Sequence, residues 1–214
     1  MSAFAGEGLG CIRGERVVFA DLSFRVDAGD ALVLTGANGS GKSSLLRLMA
    51  GLAPPAAGRL TWDGVPVAED PESHRARLRW IGHADAVKPA LTARENALFW
   101  ARLAGAADPA ATVSAALDRL ALAAIADSPA RWLSQGQRRR LALARLLAAG
   151  PASLWLLDEP TVGLDGPTVA SLEELLAGHR AAGGIVVAST HVPIALPGAA
   201  QLALVSPPAA DAEE

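Results

Sequence analysis

The sequence predicts an α/β fold, a parallel sheet flanked by helices, with a purely helical block let into the middle of the chain. Three observations carry the prediction. Short runs that are almost wholly apolar, ALVL at 31–34, LWLL at 154–157 and IVVA at 185–188, have the length and texture of strands buried on both faces. Stripes of helical period separate them, and between about 84 and 150 three such stripes follow one another with no strand between. The chain has 214 residues, 51% of them hydrophobic, enough for one well-cored domain over 1–214 and too few for two independent ones.

Taken in order, VVFADLSFRV (17–26) and ALVLTG (31–36) read as strands. SSLLRLMAGL follows as a helix with Leu45, Leu46, Leu48, Met49 and Leu52 on one stripe, and GRLTWDGVPV as a hairpin turned at Asp63-Gly64. LRWIGH (78–83) is another strand. The helical block holds TARENALFWARLAG, AATVSAALDRLALA and SQGQRRRLALARLLAAG; Thr92 and Glu95 have capping-box spacing and fix the first helix start. In the third helix Leu141, Ala144, Arg145 and Leu147 lie near one another, and its arginines are expected to face water or a partner. Strands return in LWLLDE (154–159), GIVVAST (184–190) and AQLALV (200–205), with a helix over 167–183. The acidic, proline-bearing SPPAADAEE, 206–214, is expected to be disordered.

A net charge of −3 and a pI near 5.8 offer no broad basic surface, so nucleic acid is not an expected partner. Cys11 is the single cysteine, expected as a small buried residue, and it excludes an internal disulfide. The start, MSAFAGEGLG, lacks the features of a cleaved signal. The most apolar stretch is interrupted by Arg145, Gly150 and Pro151 and falls short of the ~20 residues a bilayer requires, so a role at a membrane would need a partner.

GANGSGKS, Gly36 to Ser43, fits the pattern G-x-x-x-x-G-K-[ST] and lies where that pattern must lie, between a strand and a helix. Glycines let such a loop turn its backbone N–H groups onto phosphate oxygens, and the helix behind adds the positive end of its dipole. The residues expected around a nucleotide are Gly36, Ala37, Asn38, Gly39, Ser40, Gly41, Lys42, Ser43 and Ser44. Lys42 would reach the β- and γ-phosphates and Ser43 would ligate Mg²⁺. LWLLDE delivers a second pair of groups to the mouth of the sheet. Asp158 would hold the metal and Glu159 would orient and partly deprotonate a water, which favours ATP hydrolysis over kinase chemistry.

Further motifs bring a family into view. LSQGQ (133–137), DEPTVGLD (158–165) and STH (189–191) resemble, in order, the signature, the catalytic strand end with its D-loop, and the switch histidine of the ATP-binding cassette (ABC) superfamily. The resemblance covers essentially the whole chain. It implies a P-loop NTPase (RecA-like) core, an antiparallel β subdomain and an inserted α-helical signature subdomain at about 84–150, together forming one nucleotide-binding domain. It also implies that Ser134, Gly136 and Gln137 close on ATP held by a second copy, giving a homodimer with nucleotides sandwiched between, and that His191 contacts the γ-phosphate beside Glu159.

Three departures from the family stand out, the first being Gln135 where the signature most often has glycine, while Ser134, Gly136 and Gln137 keep the contacting positions. The glutamine expected after WIG is replaced by His83 or Ala84, and the aromatic expected to stack on adenine is replaced by Arg13, whose guanidinium plane could stack instead. Within the superfamily, LLRLMAGL, GRLTWDG, GHADAVKPALTARENALFWARL and LSQGQRRRLALARLL resemble the ATP-binding subunits of bacterial cytochrome c maturation, or haem export, complexes. That closer resemblance implies ATP and Mg²⁺ as cofactors, a peripheral place at the cytoplasmic face of the inner membrane, and membrane partners like CcmB, with CcmC and CcmD. His74, His83, His179 and His191 lie in unrelated contexts, so direct haem binding is not expected. An ATPase for another exporter, a soluble ABC protein and a non-hydrolysing nucleotide-binding module are the competing readings. Glu159 argues against the last, and the lack of room for long insertions argues against the second.

Overall fold

The computed structural model describes residues 2–148 and 152–205. Two sheets form its frame. The smaller is antiparallel and built from β1 (Ala3–Arg13), β2 (Arg16–Asp27), β4 (Ala57–Trp62) and β5 (Val65–Pro66), in the order β2-β1-β4-β5. The larger is parallel and runs β6-β7-β8-β3-β9, from β3 (Ala31–Thr35), β6 (Leu78–Ile81), β7 (Leu154–Asp158), β8 (Ile185–Ser189) and β9 (Ala200–Ala203).

Every residue of β7 and β8 is buried, which is why those strands read as unbroken apolar runs. Side chains alternate between two cores. Leu32, Leu34, Leu154, Leu156, Ile185 and Val187 face the antiparallel sheet and α1 (Lys42–Met49). Ala31, Trp155, Leu157, Val186 and Ala188 face the other side, among α3 (Ala93–Leu103), α4 (Pro109–Arg119), α5 (Gln135–Ala148) and α6 (Gly166–Ala181).

The helices between β6 and β7 appear where the sequence places them, and the Thr92–Glu95 capping box closes in both directions, at 3.1 and 2.8 Å. The Asp63-Gly64 turn is present with both residues at positive φ, 50° and 83°. Cys11 is buried. No helix among the described residues is long and apolar enough to cross a membrane. The expectation for SPPAADAEE falls on 206–214, outside the described residues.

Sequence reasoning overlooked two elements and misplaced some side chains. β1 went unread because Gly6, Gly8 and Gly10 dilute its apolar pattern; strands β2 and β4 pair with it from both sides and impose the extended form. Helix α2 (Pro71–Arg77) did carry a signal, Asp70 as N-cap accepting from Ser73 N–H at 3.0 Å with a proline in the first turn. Leu52 does not share the α1 stripe: the helix ends at Met49, Gly51 takes φ +66°, and Leu52 is 63% exposed. The α5 arginines do not all face water, since Arg139 and Arg145 are only 4% and 8% exposed.

Candidate active site

Three strand ends bring the site together. In the parallel sheet β7, β8 and β3 are consecutive neighbours, with Asp158 paired to Ser189 and Ser189 to Leu34, so the loop after β3 emerges beside the carboxylates of β7. This is the edge where open parallel sheets bind ligands.

The loop has the conformation its glycines permit. Gly36, Gly39 and Gly41 take φ values of 136°, 79° and 106°. A Cβ on Gly36 would meet the Leu204 carbonyl and the Ser40 hydroxyl, and one on Gly41 would meet the Val18 and Phe19 side chains. Lys42 opens α1 and is buried, its ammonium donating to the carbonyls of Gly36 at 2.7 Å and Ala37 at 3.0 Å. The loop thus encircles its own lysine. Ser40 is buried with an unpartnered hydroxyl, while Ala37, Asn38, Gly39 and Ser43 are exposed. A cavity of about 340 Å³ opens on the loop, lined by Gly39, Gly41, Ser43 and Ser44 on one side and by Arg13, Arg16 and Val18 on the other. Arg13 is thus one of the residues that line this cavity. Arg16 pairs with it across the β1–β2 turn and was missed, because the strand that carries Arg13 was itself not read.

At the end of β7, Asp158 is buried and accepts a 2.6 Å hydrogen bond from the Ser189 hydroxyl. Glu159 follows with φ +49°, its N–H donating to the Ser189 carbonyl at 3.0 Å. Its carboxylate receives the His191 N–H at 3.2 Å and lies 3.4 Å from His191 Nε2. So Asp158 and Glu159, adjacent at one strand end, are brought up to Ser189 and His191 at the next, and Ser189, read only as part of the STH run, is the member to which sequence reasoning gave no role of its own.

The signature residues stand apart. Ser134 and Gln137 form a reciprocal capping box at the start of α5, with bonds of 2.8 and 3.2 Å, and the peptide carbonyl of Gly163 leaves no room for a side chain on Gly136. None of the three lines the cavity on the phosphate loop. Asp165 caps α6 by accepting from Thr168, a bond that holds its carboxyl below the usual range.

Of the positions that could replace the family's glutamine, His83 and Ala84 are both exposed. The flanking Gly82 and Asp85 instead engage Arg139. Beyond it, Arg145 lies 4.9 Å over Trp100, and burial, with Arg139 nearby, pushes its guanidinium down to about 10.

The oxygen donors present are of the kind that would suit a hard divalent cation such as Mg²⁺. Asp158 and Ser43 offer hard oxygen ligands, and among the described residues no group of three or more His, Cys, Asp or Glu is gathered to hold a metal by protein alone.

Residues 19–162 match the family described as ABC transporter. The chain is 61% identical to the cytochrome c biogenesis ATP-binding export protein CcmA of Rhodospirillum rubrum over 94% of its length and 85% of that protein's. It is 57% identical to CcmA of Paramagnetospirillum magneticum, covering 95% of this chain and 94% of the other. A solved ATP-binding subunit of an ABC transporter superposes with a TM-score of 0.78 at 26% identity, over 88% of this chain and 79% of that one.

Proposed function

The chain belongs to the ABC transporter family of ATP-binding subunits, and on that premise we propose how it acts: it hydrolyses ATP to drive an export complex serving cytochrome c biogenesis. The observation that carries the hydrolytic reading is the meeting of Glu159 and His191 at the strand edge beside the phosphate loop.

In this reading the loop from Gly36 to Ser44 wraps the phosphates, and Lys42 turns its ammonium from the Gly36 and Ala37 carbonyls to the β- and γ-phosphates. Ser43 and Asp158 would hold Mg²⁺, which would supply neutralisation of charge on the phosphate oxygens. Glu159 orients the attacking water and draws on its proton, and His191 contacts the γ-phosphate while keeping that carboxylate in place. Arg13 stacks on the base from the far wall of the cavity.

Ser134, Gly136 and Gln137, away from their own chain's loop, complete the site of a second copy. ATP then joins two subunits, and hydrolysis releases them. The membrane partners are permease subunits like CcmB, with CcmC and CcmD, at the cytoplasmic face of the inner membrane. The work done is export of haem, or release of haem from its chaperone complex, by a subunit that does not itself bind haem.

Glu159→Gln tests the hydrolytic core: the variant should bind ATP, dimerise and lose turnover, and unchanged turnover removes Glu159 from that role. Haem staining of c-type cytochromes in a host carrying Lys42→Ala tests the cargo. A stain equal to wild type would point to an exporter with a different cargo.

A further inference from the structure

The run Arg138-Arg139-Arg140 opens α5, and its three side chains have different fates. Arg138 donates to the Leu133 carbonyl and Arg140 to those of Leu120 and Ala121, so both tie down their own helical block. Arg139 turns inward. Its Nη2 donates to the peptide carbonyls of Asp158 at 2.8 Å and Glu159 at 2.6 Å, and its Nη1 donates to the Gly82 carbonyl at 3.0 Å and Asp85 Oδ1 at 3.1 Å.

We propose that Arg139 is a positioning residue for ATP hydrolysis: it fixes the backbone that carries Glu159 and ties that backbone to the loop following β6. The proposal rests on the hydrolytic reading above. Three features support it. Glu159 holds a left-handed φ of 49°, a conformation that persists in a non-glycine residue only when its surroundings enforce it. Its peptide groups are gripped on both sides, the N–H by the Ser189 carbonyl at 3.0 Å and the carbonyl by Arg139. Turning that residue would swing the carboxylate away from His191.

The planar guanidinium is also the one side chain that can serve four oxygens arranged in two pairs; a lysine ammonium has three donors and no fork. Finally, Asp85 is the carboxylate paired with this buried cation, and it stands in the loop where the family's glutamine is missing. A shift of residues 82–85 therefore acts on Glu159 through one side chain, with α5 as the rigid element between.

The test uses the full chain purified with the membrane subunits that accompany it. Arg139→Ala should lower kcat about 100-fold, the scale of a misplaced catalytic group, with ATP affinity within about threefold of wild type. Millimolar guanidinium should restore at least about tenfold of the lost rate, which a merely structural loss would not permit. Asp85→Asn should lower kcat about tenfold at unchanged affinity, and the double variant should be no slower than Arg139→Ala, since the two act as one unit. An unchanged kcat, a fall in ATP affinity in step with kcat, or a folded variant that guanidinium does not rescue would overturn the proposal. If Arg139→Ala does not fold, Asp85→Asn decides, and an unchanged kcat there overturns it. Failure of the hydrolytic reading is distinguishable: wild type would then show no turnover, or turnover surviving Glu159→Gln, before any Arg139 variant is compared.

Discussion

The phosphate loop and the junction at the ends of β7 and β8 share one edge of the parallel sheet, yet they are built in opposite ways. The loop is a contiguous stretch whose glycines set its course and whose lysine is held by its own carbonyls. The junction draws Asp158 and Glu159 from one strand, Ser189 and His191 from the next, and Arg139 from a helix of the inserted block. A local motif keeps its shape by backbone conformation. A distributed one keeps its shape only while the pieces carrying it stay packed, which makes it the part of the site that a distant event can move.

That contrast can be broken by measurement, beginning with the largest expected effect. Lys42→Ala should weaken ATP binding by about 100-fold or more, because a charge-assisted contact to phosphate is lost within a loop that has no second cation. Normal affinity by calorimetry would end the view of the loop as the anchor. Gly36→Ala should come next, combining loss of nucleotide binding with a lower melting temperature, since the added methyl meets the Leu204 carbonyl at a φ of 136°.

Ser189→Ala probes the junction. It strips the buried Asp158 of its 2.6 Å partner and should cost about 1–3 kcal/mol of stability. Hydrolysis should fall about tenfold, as for a misplaced group, with ATP binding retained. If binding falls instead, the two regions are less separate than their construction indicates.

Two smaller effects lie outside both regions and sharpen the comparison as controls. His74 is buried, accepting from the Trp62 indole N–H at 2.9 Å and sharing its other ring nitrogen with the Met49 carbonyl at 2.8 Å. Burial, with Arg77 and Arg75 nearby, holds it below its ordinary 6.5 even though the Met49 bond favours the charged form. The unfolded chain therefore binds this proton more readily. Its contribution to stability is whole above about pH 6.5 and declines as pH falls toward the lower folded value. Urea midpoints should drop between about pH 7.5 and 5.5, and His74→Gln should flatten that drop; an unaltered slope would assign it to other groups. Smallest of all, Thr92→Ala should cost about 1 kcal/mol through loss of the capping box, with turnover unchanged once the protein is folded.

How much was legible follows the same division. Unbroken apolar runs, helical stripes and a cap made most strands and helices legible, because burial on both faces of β7 and β8 leaves a continuous apolar run and Thr92 carries its partner three residues on. The glycine-diluted β1 was not legible, since its pairing partners rather than its own residues make it a strand. Arg139 reads as facing water or a partner, because three arginines in a row look alike until four backbone and carboxylate oxygens collect around one of them.

By itself, then, the sequence determined the glycine-rich loop between a strand and a helix, most of the order of elements and the candidate groups that the proposed chemistry draws on, because each of those depends on neighbours a few residues away. Only the tertiary structure decided that Ser189 would hold Asp158, that Glu159 would sit in a left-handed turn facing His191, and that a signature-helix arginine would grip both. Those are contacts across 19 to 32 residues. Their geometry is fixed by the strand order β7-β8-β3 and by the packing of α5 beneath it, which no short stretch of chain encodes.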